Sequence, residues 1–358
     1  MGKTRLTVVI SDLGFGGAQN MVCEQLKYTN MECYDVSVVV LGFRKGTTIA
    51  QKLETVLPIA YANHCGRVTP VTIYKMLRLI QKTKPDVVHA HIGGVGFAAM
   101  WAKLFRKPLV ITAHTKPEKA FTAKVEKQVR AALMAGRTKL VAVSEDNANK
   151  LRKYFALDNK LCGCVNNGID LDRFNRKSHE GFTVIHVGRQ DENKNQAALI
   201  RCFARLHNQY PDTKLLLLGD GDQHEKLIDL AERLNITDAV KFTGNVSDTE
   251  DYYAVSDLYV QCSHREAMPL SVLEAMATGL PIISTDVGGL SDVVRDNGIL
   301  VQDNDEEALY SAILKIYEQS EEERKRMSNS SLEIVKDYSS EEMARKYEEI
   351  YQEMLWKM

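Results

Sequence analysis

Short, continuous apolar runs recur along this chain, separated by helix-forming stretches, and each run stops at a glycine, a proline or a polar turn. Residues 6–10, 36–40, 86–89, 109–112 and 139–143 are such runs, the third and fourth introduced by Pro85 and Pro108. An apolar run without polar alternation is a strand buried on both faces, and parallel neighbours need a crossover between them. Helical stretches at 18–26, 73–82 and 96–104 fill crossover positions. The rhythm restarts after Cys164-Val-Asn-Asn-Gly168, with runs at 182–187, 215–218, 240–243, 258–260 and 281–284. The pattern predicts two doubly wound α/β domains, 1–168 and 169–338, in a chain of 358 residues. Residues 339–358 differ. Ser339 precedes Glu342 at capping-box spacing, and Met343, Tyr347, Ile350, Tyr351, Met354 and Leu355 form one apolar stripe, so a packed terminal helix is expected.

The formal net charge of −1 conceals a division between the halves. Residues 1–165 carry 25 Lys and Arg against 11 Asp and Glu, a balance of +14, and the remainder balances at −15. A basic half points to an anionic partner. One candidate surface is the helix around 73–84, with Lys75, Arg78, Lys82 and Lys84 beside Ile73, Leu77 and Ile80. The other is 116–139, with Lys119, Lys124, Lys127 and Arg130. Basic charge beside an apolar face suits docking on anionic lipid, and the alternative is that it complements the acidic half. No nucleic-acid recognition motif or aromatic platform accompanies the charge.

With 44% apolar and 26% charged residues the chain is neither disordered nor fibrous. No apolar stretch approaches the ~18–20 residues of a membrane span. The run 6–10 is too short for a leader peptide, and Leu6 stands where myristoylation needs Ser or Thr. A cytoplasmic protein is expected, peripheral at the inner face of the plasma membrane if the basic surface docks there. The seven cysteines are scattered, and reduced, mostly buried thiols are expected.

Ligands of open α/β sheets bind beyond the carboxyl ends of the strands, and the informative residues fall there. Gly14-Phe-Gly16-Gly17 follows the first strand, but Gln19 stands where a dinucleotide motif has its third glycine. The loop is either an anion site at a helix N-terminus or a plain tight turn. Arg189 and Lys194 follow the first strand of the second domain and suit a diphosphate, or are solvated surface charges. Glu266 and Glu274 lie in Glu266-Ala-Met268-Pro269-Leu270-Ser271-Val-Leu-Glu274, with Glu266 in a turn and Pro269 at the first helical position. That arrangement offers carboxylates to hydroxyls and helix N–H groups to a phosphate. His89 and His91 end another strand, in either a structural or a ligand-facing role.

Gly16-Gly17, His114, Gly188-Arg189 with Lys194-Asn195, Gly219-Asp-Gly221, the Glu-x7-Glu element and Pro281 through Gly289 occur in order, and Leu273-Glu-Ala-Met-Ala-Thr-Gly-Leu-Pro-Ile-Ile is the most specific stretch. The chain resembles the retaining GT-B glycosyltransferases of family 4. The resemblance implies two Rossmann-like domains facing across a cleft, the first for acceptor and completed by the terminal helix, the second for donor. It implies that Arg189 and Lys194 hold the donor diphosphate, Glu266 the sugar and Glu274 the ribose. Met268, Pro269, Leu270 and Ser271 line the donor, Gly16 and Gly17 face its phosphate, and His114 lies near the reacting centre. Ala267 replaces the glycine that many members carry.

The implied reaction moves a hexose from a nucleotide-diphosphate donor, most often a UDP-sugar, to a glycan or lipid-linked acceptor with retention, as in bacterial polysaccharide assembly. No metal and no cofactor are expected, since no suitable Asp-x-Asp pair is present. Two further readings remain at this point: a sugar-nucleotide epimerase on the same fold, and a non-catalytic basic binding module.

Overall fold

The structure is a computed structural model that describes residues 2–14, 16–266 and 268–356. Ala267, singled out by the resemblance, lies outside the described residues. The chain divides into two compact units, Met1–Gly168 with Ser340–Met358, and Ile169–Ser339. Ser339 thus stays with the second unit, where it bridges to Ile169.

The first unit holds one parallel sheet of β1 (Thr4–Ile10), β2 (Tyr34–Val40), β3 (Ile59–Tyr61), β4 (Val87–Ala90), β5 (Leu109–Ala113), β6 (Thr138–Ala142) and β7 (Cys162–Cys164). Their order is β3-β2-β1-β4-β5-β6-β7. The second unit repeats the plan with β8 (Phe182–Val187), β9 (Thr213–Leu218), β10 (Val240–Gly244), β11 (Leu258–Gln261), β12 (Ile282–Thr285) and β13 (Gly298–Val301), in the order β10-β9-β8-β11-β12-β13. Both orders reverse beside the first strand of their unit, which makes β1/β4 and β8/β11 the switch points where such sheets open a ligand crevice. Sequence reading did not anticipate β3, β7 and β13. Each is a short sheet-edge strand of three or four residues with one neighbour.

Side chains alternate across the first sheet as strand geometry requires. Val9, Val39, Val88 and Ile111 pack against helices Pro70–Lys82, Val95–Phe105 and Ala123–Met134. Val8, Ile10, Val38, Val40 and Val110 pack on the other face, against Gly17–Tyr28 and the terminal helix Ser340–Trp356. Met343, Tyr347, Ile350, Tyr351 and Met354 of that helix are buried there. Its charged face is pinned too: Glu353 pairs with Lys139, and Glu348 accepts from the Asn30 amide at 2.7 Å.

Among the described residues no helix is long and apolar enough to cross a membrane. None of the seven cysteines is in a disulfide; Cys33 and Cys65 are exposed, so the expectation of mostly buried thiols holds only for Cys162, Cys202 and Cys262. The helix Pro70–Lys82 also departs from expectation. Ile80 is buried, with Ile73 and Leu77 packed on the core, so these apolar residues face inward. Val71 (74% exposed) and Tyr74 (65%) are instead the apolar side chains beside exposed Lys75, Arg78 and Lys82.

A buried polar chain ties the terminal helix to the sheet. Gln25 Nε2 donates to the Tyr351 hydroxyl at 2.6 Å, and that hydroxyl lies 2.6 Å from His89 Nδ1. His89 Nε2 meets Thr112 Oγ1 at 2.8 Å, and Thr112 meets the Tyr347 hydroxyl at 3.0 Å. The Tyr351 oxygen accepts from Gln25, so its proton goes to His89 Nδ1 and the imidazole carries its own proton at Nε2. Losing one member of a buried network leaves its neighbours without partners. Tyr351→Phe should therefore cost about 1–3 kcal/mol in urea unfolding. Tyr34→Phe, whose hydroxyl is partly exposed beside Gln352, should cost less. A Tyr351→Phe chain as stable as wild type would remove the network from the account of stability.

Candidate functional site

In the second unit the chain leaves β8 at Val187 and turns through Gly188-Arg189-Gln190 to Asn195, which caps the helix Gln196–Gln209. This loop is braced from below. Gln190 donates to the Gly219 carbonyl at 2.8 Å and its backbone N–H to that of Asp220 at 3.0 Å. A Cβ on Gly219 would stand 2.1 Å from the Gly188 carbonyl oxygen, and one on Gly221 2.1 Å from that of Gln190. Only glycine permits the approach, which accounts for the Gly219-Asp-Gly221 motif. Lys194 is held through its backbone N–H by Asp191, and its Nζ reaches Glu266 Oε1 at 2.6 Å. Both side chains are largely buried. Arg189 is not brought into this pair. Its side chain is 71% exposed and only brushes Asp191 at 4.0 Å.

Glu266 belongs to the loop after β11, across the switch point from β8. The following helix is Leu270–Ala277, and no side-chain hydrogen bond caps it. Pro269 is its N-cap, with ψ 130°, one position before the first helical residue that sequence reading assigned to it. An uncapped N-terminus leaves N–H groups for an anion. Glu274 sits further along the helix, where the Tyr253 hydroxyl contacts its Oε2 at 3.1 Å and the Ser271 carbonyl at 3.0 Å. Behind Glu266 lies Gln261, fully buried, donating to Glu266 Oε1 at 2.9 Å. Tyr259 joins Gln261 to Ser271. Met268 and Leu270 pack in the apolar cluster beneath.

In the first unit Gly16 is the N-cap and Gly17 the first residue of Gly17–Tyr28, again without a side-chain cap. At the ends of β4 and β5, His91 Nδ1 and His114 Nε2 are 3.1 Å apart, and the His89 and His91 rings lie 4.1 Å apart. His89 and His91 are wholly buried and His114 is half-buried. Of the strand-end histidines, His89 therefore serves the network with the terminal helix, and His91 supports His114. Among the described residues no group of three or more His, Cys, Asp or Glu has the arrangement of a metal site.

The profile described as "Glycosyl transferases group 1" matches residues 169–333, and that described as "Glycosyltransferase Family 4" matches residues 15–173. The Campylobacter jejuni N-acetylgalactosamine-N,N'-diacetylbacillosaminyl-diphospho-undecaprenol 4-alpha-N-acetylgalactosaminyltransferase is 25% identical over 95% of this chain and 97% of its own. A glycosyltransferase from Rickettsia africae superposes with a TM-score of 0.84 at 20% identity, covering 99% of both chains. Anabaena HepE in complex with UDP-glucose superposes with a TM-score of 0.81 at 19% identity, over 98% of this chain and 99% of that one. The chain is a GT-B glycosyltransferase of the family 4 kind. An epimerase or a binding module on this fold is thereby set aside.

In the glycosyltransferase, burial holds the strand-end imidazoles neutral. Burial pulls His89 down to about 3 and His114 to about 4, and holds His91 well below the ordinary imidazole value, with neighbouring imidazoles adding to the shifts of His89 and His91. Burial likewise takes His186, beneath the β8 loop, to about 4. In the second unit Lys194 and Glu266 form an ion pair, and burial raises the Tyr253 and Tyr259 hydroxyls well above their usual value, keeping them as donors.

The lowered histidines make acid stability a direct readout. Each is neutral in the folded protein, while an unfolded imidazole binds a proton below about pH 6.5. Their contribution is complete above that pH. It is lost as pH falls from about 6.5 towards about 4, where the unfolded chain binds more protons. Denaturation midpoints should be flat above about pH 7 and fall steadily below about 6.5. A midpoint at about pH 5 equal to that at neutrality would mean that these imidazoles charge inside the folded protein.

Proposed function

We propose that the glycosyltransferase moves a hexose from a nucleoside-diphosphate donor, most simply a UDP-sugar, to a saccharide or lipid-linked acceptor, with retention of configuration and without a metal ion. The observation that carries this reading is the pairing of Lys194 with Glu266 at 2.6 Å beside an uncapped helix N-terminus, at the switch point of the second sheet. A cation, a carboxylate and backbone N–H groups then converge where a sugar diphosphate presents two phosphates and several hydroxyls. Arg189, exposed and nearly unengaged, is free to swing onto the diphosphate. Anabaena HepE, of the same fold, forms a complex with UDP-glucose, which supports a uridine donor.

Transfer breaks the bond from the sugar C1 to the diphosphate oxygen, and the diphosphate leaves with the electron pair. Arg189, Lys194 and the N–H groups of Leu270–Ala277 stabilise that charge, the largest single contribution such a site can make. Glu266 accepts from donor sugar hydroxyls and Glu274 from the ribose. The acceptor oxygen bonds to C1 and gives its proton to the departing diphosphate oxygen. His114, neutral at pH 7, offers one donor and one acceptor to a hydroxyl rather than a positive charge. Gly16 and Gly17, at the other uncapped N-terminus, suit the donor phosphate.

The name of the Campylobacter relative contains a diphospho-undecaprenol acceptor and an alpha linkage, which supports a lipid-linked acceptor and retention. A membrane-facing role fits the first unit, whose sequence balances at +12 once the terminal helix is included. Val71 and Tyr74 would enter the interface with Lys75, Arg78 and Lys82 on anionic headgroups, each cation contributing about 1 kcal/mol.

Screening nucleotide sugars for slow acceptor-free release of UDP identifies the donor. With that donor, Arg189→Ala and Lys194→Ala should each raise the barrier by about 2–4 kcal/mol. Glu266→Ala should harm transfer more than UDP binding, and Glu274→Ala should weaken UDP itself in calorimetry. Wild-type turnover in both cation variants with every donor would sink the diphosphate reading. In sedimentation, binding to anionic vesicles should vanish by about 0.5 M salt and drop when Lys75, Arg78 and Lys82 are neutralised together. Indifference to such vesicles at low salt would remove the membrane.

A further inference from the structure

Both protein donors to Glu266, Lys194 Nζ at 2.6 Å and Gln261 Nε2 at 2.9 Å, fall on Oε1. Oε2 accepts no hydrogen bond from the described residues. We propose that Gln261 is the positioning residue of the donor site: its amide holds the Glu266 carboxylate by one oxygen and leaves the other to the donor sugar. This rests on the assignment of Glu266 to the sugar made above.

Gln261 ends β11 and is fully buried. Its amide has one orientation. Nε2 must face the carboxylate, which only accepts, and it also donates to Ser263 Oγ at 2.6 Å. Oε1 accepts from the Tyr259 hydroxyl at 2.5 Å. A phenol has one proton, so the contact of 2.8 Å between Tyr259 and Ser271 Oγ is made by the serine donating to the phenol oxygen. The order of donation therefore runs from Ser271 through Tyr259 and Gln261 to Glu266. Ser271 is the second residue of Leu270–Ala277, and its carbonyl shares the Tyr253 hydroxyl with Glu274. The two carboxylates and the helix N-terminus are thus set by one buried network.

Lys194 cannot do this alone. Its ammonium sits on a flexible stem and is a point charge. When a diphosphate draws it away, Glu266 loses that partner at the moment it must hold the sugar. Gln261 carries no charge for a phosphate to attract and remains on Oε1. A neutral donor also leaves the carboxylate its full charge towards sugar hydroxyls.

The test uses the full chain, UDP as the binding probe and the donor found in the screen. Gln261→Met removes both hydrogen-bonding ends at similar volume. Its kcat should fall about 10- to 100-fold, the scale of a misplaced group, while UDP affinity of the folded variant stays within about twofold. The thermal midpoint falls because Tyr259 and Ser263 lose a buried partner, so both readouts are taken below it. Gln261→Glu gives the distinguishing readout. The titratable groups at that amide are Glu266 and Tyr259, with Lys194 on the far side of Glu266. Two carboxyl groups in contact share a proton. While that proton is held, the introduced carboxyl donates to Glu266 as the amide did, and once it is lost the pair repels. Turnover of Gln261→Glu relative to wild type should therefore rise as pH falls from about 8.5 to 5.5, while the Gln261→Met ratio stays low and flat. Wild-type kcat in Gln261→Met, a parallel loss of UDP affinity, or a pH-independent ratio for Gln261→Glu would each overturn the proposal. Wild-type turnover in Glu266→Ala would overturn the underlying assignment and this proposal with it. Loss of turnover there beside full turnover in Gln261→Met would overturn this proposal alone.

Discussion

A strand can be followed by a parallel neighbour only after the chain has crossed back over the sheet, and this requirement places every strand's carboxyl end along one edge. Each unit has a single edge on which loops following strands collect. Where the strand order reverses, the two loops on either side diverge and leave room between them. In the second unit those loops are 188–195 after β8 and 262–269 after β11, which carry Arg189, Lys194 and Glu266. Residues 72 positions apart, Lys194 and Glu266, meet at hydrogen-bond distance because the topology leaves few other places for them.

The same edge in the first unit is fitted out differently. β4 ends in His89 and His91, β5 leads to His114, and burial keeps all three neutral. A neutral imidazole inside a polar chain needs hydroxyl and amide partners rather than carboxylates. Tyr351, Thr112 and Gln25 provide them for His89. That chain explains why a helix from the far end of the sequence belongs to this unit. Its tyrosines bring both ring area to the core and the hydroxyls the histidine requires.

Much of this was legible in the sequence, and what was not has identifiable causes. Interior strands announce themselves because both faces are buried, so Phe182–Val187 reads directly as a strand. A short edge strand need not: Cys162–Cys164 is Cys-Gly-Cys, with little strand preference of its own, and exists because β6 offers it hydrogen bonds. Apolar residues on Pro70–Lys82 were visible, but the direction in which they point was not. Both a core-facing and a lipid-facing helix carry such a stripe, and only the packing distinguishes them. Arg189, Lys194, Glu266 and Glu274 stand out because charged residues at strand ends and helix starts are conspicuous. Gln261, Tyr259 and Tyr253 are inconspicuous for the opposite reason. A glutamine closing a strand and two tyrosines in buried positions read as ordinary core, and their meaning lies in which atoms they face. The pattern Tyr259-x-Gln261-x-Ser263, placing three polar side chains on one side of the chain at period two, was the available signal.

That period also decides how the candidate site of the second unit is made rigid. Alternate residues of an extended segment point the same way, so Tyr259 and Gln261 of β11, with Ser263 just beyond it, form a polar column on one side of the chain. A column of this kind would be costly if any member lacked a partner. Glu266 satisfies its upper end and Ser271 its lower side. The carboxylate is therefore as necessary to the strand as the strand is to the carboxylate. Removing Glu266 would leave a buried amide without its acceptor, while a ligand hydroxyl on Oε2 disturbs nothing beneath it. On the proposed reading, ligands exchange at the outer oxygen because the inner oxygen belongs to the core.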